Sequence, residues 1–528
     1  MSAKAGVREL VKLASRRDRI MLPLWAYALI GTTASTAYSI KGLYNTPAAR
    51  QGLVDGITAA PTAAALYGKI YGSSLGAIIA WRAAVITALL ASVMSILLVV
   101  RHTRAEEQTG RLELVVSGAV DRFAPLAAAL QLTMSVNLSV GVIIGVVLPL
   151  LGLPVAGAFL LGLSVAGVGI FFAAVAAVTA QVFESARSAN GAAFAVLGGF
   201  YLIRAVGDMS PASWLLWLSP IGWVEQARPY TGDHWWVLIL QLLATAAAVG
   251  LAAQLSRRRD FGSGILPSRP GPRSAGADTR GVFGLAWRLH RGTLAGWTFG
   301  VVLGAVAFGS FVKDINALTG SSRVEKIMSQ LGGSQNMANA YLATIMNVFG
   351  VLAAAYAVAV IVRARGEETS GRIEAVLAGT AGRTRWVLSH VLFAAFGAGL
   401  LLGAGGLGAG LADALRTHDM SAVGMVLGAA MAQWPAALVV AGFAAVLFAA
   451  APTRTAGSWG LLGLFGFLTL IAPGLNAGQA ILDLSPFNHV PKVPAAAYSA
   501  TPLVILTALA LVLAGVTVAA FRRRDMLA

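Results

Sequence analysis

The chain has 528 residues, 57% of them hydrophobic and 12% charged, with a mean hydropathy of +0.75. An ordinary soluble domain is about a quarter charged, so a soluble globule is excluded. The net charge of +17 falls between apolar runs, where the anionic cytoplasmic leaflet rather than nucleic acid is the expected partner, and zero Cys excludes disulfides and thiolate chemistry.

Charge-free runs set the predicted elements. Residues 20–40, 123–183 and 386–412 hold 21, 61 and 27 residues without Asp, Glu, Lys or Arg. A spanning helix needs about 20. In chain order the sequence predicts an amphipathic helix carrying Val7, Leu10, Val11 and Ala14 on one face, lying along the inner membrane surface. Spans follow near 20–40, 76–100, 123–150, 155–180, 188–205 and 235–256. The 61-residue run divides at Gly152-Leu153-Pro154, because one helix of that length would be about 90 Å long. The first run is of spanning length without a small-residue cleavage site, so it reads as an uncleaved span. A Pro-, Gly- and Ser-rich linker covers 261–281. Beyond it the pattern restarts with an amphipathic helix over Val282, Leu285, Ala286 and Leu289, then spans near 293–312, 341–362, 386–412, 421–450, 457–475 and 502–521.

The expected fold class is an all-α membrane protein with twelve transmembrane helices in two six-helix pseudo-repeats, residues 1–260 and 282–528. With the N-terminus inside, the cytoplasmic segments hold 28 of the 39 Lys and Arg. Both termini are therefore expected in the cytoplasm, in the plasma membrane. All Asp and Glu are assigned to loops, and Arg82 is read as the formal charge inside a span. Its guanidinium either snorkels to headgroups or lines a path whose counterpart position is Ala343.

The two halves repeat. Segment 101–122, RHTRAEEQTGRLELVVSGAVDR, and segment 362–383, VRARGEETSGRIEAVLAGTAGR, share nine identical positions. Leu218-Ser219-Pro220 matches Leu484-Ser485-Pro486, and RRRD occurs at Arg257–Asp260 and again at Arg522–Asp525. Plotted as one helix, Leu112, Val115, Val116 and Ala119 share a packing face, with Glu106, Gly110 and Glu113 opposite. Glu107 with Arg111 and Glu368 with Arg372 are spaced for i, i+4 support. A solvated charged face would explain either loop alone. Solubility does not require the same residues at the same places twice.

Energy for transport is expected from a partner. With no carboxylate assigned to a span, proton relays are disfavoured. No G-x-x-x-x-G-K-[ST] loop is present to hold nucleotide phosphates. No catalytic constellation is evident, and the six His are scattered without metal-ligand spacing.

RAEEQTGRLELVVSGAVDR and RARGEETSGRIEAVLAGTAGRTRW, each between the second and third span of its half, resemble the paired motifs of actinobacterial ATP-binding-cassette permeases of the polyketide-antibiotic exporter family. The resemblance covers essentially the whole chain. It implies the type V exporter fold: in each half an N-terminal interfacial helix, a cytoplasmic coupling helix, and a re-entrant segment before the last span, here Ser213–Pro229 and Ser485–Ala500. It further implies two copies of a cytoplasmic ATPase subunit, which would carry ATP and Mg, and no cofactor in this chain. Arg104, Glu106, Glu107, Gly110, Arg111 and Glu113, with Arg365, Glu367, Glu368, Gly371, Arg372 and Glu374, would couple to that ATPase.

In this arrangement spans 2, 5, 8 and 11 face a central path. They offer Trp81, Arg82, Thr87, Met94, Phe194, Phe200, Tyr201, Tyr341, Thr344, Asn347, Phe349, Tyr356, Trp459, Phe465 and Phe467. Such a lining would suit a large hydrophobic or amphipathic molecule such as a polyketide antibiotic, a drug or a lipid. The alternative is a twelve-span major-facilitator drug transporter, opposed by the absent D-R-x-G-R-R pattern and the lack of intramembrane acids. A membrane scaffold or lipid-modifying enzyme is a third class.

Overall fold

The computed structural model describes residues 3–58, 67–112, 121–260, 262–266, 281–310, 337–378, 382–470, 472–475 and 478–524. Among these, helices, turns and irregular connections account for the chain apart from one isolated bridge between Phe183 and Leu266. The chain divides into two compact units, Met1–Gly271 and Pro272–Ala528.

The first unit contains α1 (Ala3–Arg17), α2 (Met21–Leu43), α3 (Pro47–Thr58) and α4 (Leu75–Val100), which continues through a π-helical turn, Arg101–Ala105, to Gln108. Then come α5 (Ala124–Leu150), α6 (Val155–Val182), α7 (Ala186–Met209), the short α8 (Pro220–Gln226) and α9 (Trp236–Arg258). The second unit contains α10 (Gly281–Ser310), α11 (Met337–Thr369), the short α12 (Arg372–Leu377) and α13 (Arg383–Thr417). It continues with α14 (Ser421–Met431), α15 (Trp434–Ala450), α16 (Gly457–Leu470) and α17 (Ala500–Arg523).

Nine helices among the described residues are long and apolar enough to cross a membrane, α14 and α15 counting together as one. The pair α1 and α2, bent by 75°, would make a tenth. Nine of the predicted runs fall on these nine helices. Of the other three, 20–40 is α2, 293–312 overlaps α10, and 457–475 is the 14-residue α16 followed by a 3-10 turn, Ala472–Leu475.

One expectation is corrected here. The second amphipathic helix is not separate, because α10 runs unbroken from Gly281 to Ser310. Pro23 explains the difference. Its ring lacks an N–H and clashes with the carbonyl four residues back, so α2 must start afresh after α1. No proline falls within 281–310.

Lipid offers helices no hydrophobic reason to associate, so close backbone packing supplies it. Gly162 of α6 sits on Gly141 of α5 so closely that a Cβ would lie 2.1 Å from the Gly141 carbonyl oxygen. Asn137 of α5 donates to Ser95 of α4 at 2.9 Å. In the second unit Gly397 of α13 accepts the Tyr356 ring of α11 in the same way. Helices α4 and α6 are the most buried spans of the first unit, and α9 and α17 the least buried of the two units.

Candidate functional site

The repeated motif is not one amphipathic helix. In the second unit α11 stops at Thr369, Gly371 adopts φ +71°, and α12 restarts at Arg372. In the first unit the helix stops at Gln108, Gly110 adopts φ +71°, and helix resumes at 111–112. Residues 113–120, and with them Glu113, lie outside the described residues. The Gly110 N–H donates to the Glu107 carbonyl at 3.1 Å, and the Gly371 N–H to the Glu368 carbonyl at 3.0 Å. A left-handed residue at a helix C-terminus favours glycine, because a Cβ there meets the carbonyl. Gly371→Ala should therefore cost about 1 kcal/mol, read as a lowered unfolding temperature of the purified permease.

Glu107 and Glu368 point inward. The Glu107 carboxylate accepts from Arg259 Nη1 and Nη2 at 2.7 and 2.9 Å, from Arg104 Nη1 at 2.8 Å and from the Gly262 N–H at 2.7 Å. Arg104 also donates to the carbonyls of Glu184 (2.7 Å) and Ser263 (2.9 Å), and Arg259 to Gln181 Oε1 at 2.6 Å. Glu368 pairs with Arg365 at 3.0 Å and with Arg524. Arg524 reaches the Phe448 carbonyl at 2.9 Å. The last arginine of each motif completes the likeness, Arg122 donating to the Arg259 carbonyl and Arg383 to the Arg524 carbonyl. The two sequence repeats, E-E-x-x-G-R and RRRD, are thus each other's partners. In each unit they bind the motif-bearing end of one span to the end of the last span.

The expected i, i+4 pairs of Glu107 with Arg111 and Glu368 with Arg372 do not form, since the glycine turn redirects the chain. Glu106 pairs instead with Arg17 of α1, and Asp18 with Arg101 (2.8 Å) and His102 (2.6 Å), tying the amphipathic helix to the same node. Arg372 lies 3.4 Å from Glu367. What remains exposed is the turn itself: Gln108, Thr109 and Arg111, and Thr369, Ser370, Gly371, Arg372 and Glu374.

The residues named for a substrate path fall mostly within the cores of their own units. Thr87 and Met94 are fully buried in α4, with Thr87 3.2 Å from the Thr33 hydroxyl of α2. Phe194, Phe200 and Tyr201 of α7 pack against the same core, Phe200 edge-on to Phe171 and Phe172. Phe349, Tyr356 and Phe465 are buried in the second unit, and Tyr341 donates to the Phe308 carbonyl at 3.2 Å. Asn347 accepts from Gln433 at 2.9 Å, while the Thr344 hydroxyl is used by its own helix. Trp459 and Phe467 are exposed. Trp81 donates to the Gly68 carbonyl at 2.7 Å, and the Arg82 guanidinium lies 3.9 Å above the Tyr67 ring.

Arg82 does lie inside α4, but the assignment of every acid to loops, and of Arg82 as the only charge inside a span, is overturned. Helix α7 extends to Met209 and carries buried Arg204 and Asp208, with Glu225 of α8 at 2.9 Å from Arg204. The segment around α8 folds back against α7: Ser219 Oγ donates to the Phe200 carbonyl at 2.7 Å. Ser485 repeats this contact with the Phe465 carbonyl at 3.2 Å. A groove of about 620 Å³ lies between α1 and α5, lined by Val7, Arg8, Asp121, Phe123, Ala124, Ala127 and Gln131.

A family model described as "Multidrug efflux system permease Rv1217c, C-terminal domain" matches residues 8–257 and 280–522. The chain is 40% identical over 531 residues to the multidrug efflux system permease protein Rv1217c of Mycobacterium tuberculosis (strain ATCC 25618 / H37Rv), covering 99% of this chain and 96% of that protein. Neither match favours the major-facilitator alternative. With its apolar spans, its paired ion nodes and this full-length similarity, the chain belongs to the multidrug efflux permease family of Rv1217c.

Proposed function

We propose that this permease is the membrane subunit of an ATP-driven exporter, worked by two copies of a cytoplasmic ABC ATPase that hold ATP and Mg. The single observation that supports this reading is the twin ion node. Each node clamps two span ends together yet leaves the glycine turn exposed, which is what a lever needs: a free tip on a stiff root. ATPase closure would push Gln108–Arg111 and Thr369–Glu374, and the Arg–Glu–Arg contacts would pass the push into α4 with α9 and into α11 with α17. Both termini then lie in the cytoplasm, and twelve spans form two six-span halves. Coupling is thereby assigned to the exposed Arg111, Arg372 and Glu374, with Glu107 and Glu368 as roots.

The substrate class on this reading is a large hydrophobic or amphipathic molecule, such as a polyketide antibiotic, a drug or a lipid. Apart from Arg82 and Met94, the named path residues are aromatic or neutral hydrogen-bonding groups, with Asn347 and Gln433 as a polar contact between spans. The groove beside α1 supplies an entry of drug-sized volume from the inner leaflet. Ala127→Trp should obstruct it, raising the KM for a hydrophobic substrate severalfold while leaving basal ATP hydrolysis unchanged.

Expression with its ATPase tests the whole reading. Tagged permease should retain two ATPase subunits, and the double variant Arg111→Glu with Arg372→Glu should lose substrate-stimulated hydrolysis while still inserting in the membrane. Export that persists in ATP-depleted vesicles would overturn it.

A further inference from the structure

Arg204 and Asp208 on α7 and Glu225 on α8 are buried together, at 0%, 4% and 7% exposure. Arg204 Nη1 donates to Glu225 Oε1 at 2.9 Å, and its Nε lies 3.5 Å from Asp208 Oδ2. The two carboxyl groups also lie within hydrogen-bond reach of each other. Yet Glu225 Oε2 accepts no hydrogen bond, and Asp208 is met outside the trio by the backbone N–H of Lys69. Two ionised carboxylates side by side in an apolar surround repel, and such pairs hold a shared proton. One proton between Asp208 and Glu225 turns the repulsion into a hydrogen bond between α7 and α8, with Arg204 and Lys69 as the cations beside it.

The fold itself does not require this charge. In the second unit the matching serine contacts align position 204 with Thr469, 208 with Pro473 and 225 with Pro491. There the junction is closed by the Thr469 and Ser485 hydroxyls, 2.8 Å apart. A neutral pair suffices where only packing is at stake, and burying ions is costly. Ionisable groups kept inside a membrane-spanning unit mark function.

Every neighbouring element contributes to the surroundings. Segment 67–74 brings Tyr67, Lys69 and Tyr71, α4 brings Arg82 over Tyr67, and α7 brings Tyr201, 4.8 Å from Arg204. Beyond α8, Arg228 lies 4.4 Å over the Tyr71 ring, and α6 carries no titratable side chain. A cavity of about 20 Å³ beside Glu225 has room for about one water, and so for a proton donor. Gly68, at φ +93°, lies against the carboxyl, where a Cβ would stand 2.4 Å from Oε2.

We propose that Asp208 and Glu225 form a proton-binding dyad that controls the seating of α8 against α7. With the proton bound, the hydrogen bond between the two carboxyl groups joins α7 to α8 and α8 stays seated. Without it, the carboxylates drive α8 away from α7 and open the junction. Acid at that face therefore slows export, a consequence that rests on the exporter reading, whereas proton binding itself does not.

Two measurements test this. Infrared difference spectra of the purified full chain between about pH 5.5 and about pH 8.5 should show the C=O stretch of a protonated carboxylic acid. Asp208→Asn should remove that band, because the remaining Glu225 is then paired with Arg204. Identical spectra for wild type and Asp208→Asn would overturn the dyad. In vesicles holding the permease with its ATPase, wild-type export should fall at least about threefold across the same range as that face is acidified. Asp208→Asn should be slow and flat with pH at unchanged thermal stability. A wild-type pH slope that survives in Asp208→Asn would overturn the control of seating. If wild type shows no ATP-driven export, the exporter reading fails, and the infrared result still decides the dyad.

Discussion

Glu107→Ala should unfold the motif-bearing end of the first unit and, on the proposed function, abolish ATP-driven export. Its carboxylate is the anion between Arg104 and Arg259, whose side chains are 1% and 10% exposed. Removing it leaves two guanidinium groups in a desolvated space with only carbonyl and amide oxygens for partners. Breaking a buried pair this way costs about 3–5 kcal/mol, a large share of a typical folding free energy. Glu368→Ala should act alike on Arg365 and Arg524. Arg259→Ala should cost less, because Arg104 and the Gly262 N–H still satisfy Glu107. Thermal unfolding and substrate-stimulated hydrolysis, measured on the same preparations, check the order. Wild-type stability in both alanine variants would show the nodes to be dispensable.

These nodes show how far the sequence could be read. Both halves of each node were visible as repeats, because ion-pair chemistry places the same residue types at the same spacing. That E-E-x-x-G-R and RRRD meet was not visible, since about 150 residues separate them and charge complementarity carries no register. A cue was present: two motifs of opposite charge recur together, in the same order, in both halves. On a helical wheel Gly110 reads as a small residue of the polar face, because the wheel assumes that the helix continues. In the structure both glycines are left-handed helix stops.

The spans were legible for a different reason. Lipid tolerates few charges, so apolar length alone locates helices such as α5, α6 and α15. The same rule failed at α7, where Arg204 lies against both Asp208 and Glu225 and the helix runs past the end of its apolar stretch. It also missed α3, a polar 12-residue helix with no apolar run to betray it. Periodicity found the amphipathic stretch of α10 but could not say that it joins the following span without a break.

Gly162→Val should separate α5 from α6 and cost about 3 kcal/mol, the upper part of the range for overpacking. The atom it would meet, the Gly141 carbonyl oxygen 2.1 Å from the new Cβ, belongs to backbone and cannot rotate aside. The helices must move apart along much of their contact. Asn137 of α5 would then be drawn from Ser95 of α4, exposing buried polar groups to lipid that cannot satisfy them. The damage would also reach the ion node, because Gln181 lies at the end of α6, Glu184 just beyond it, and Arg122 just before α5. Gly460→Val on α16 is the control, since the space around that glycine is open. The first variant should lose assembled permease and export together, the second neither, as read by detergent-extracted yield and vesicle transport. Equal behaviour of the two would mean that close backbone contact does not hold the first unit together.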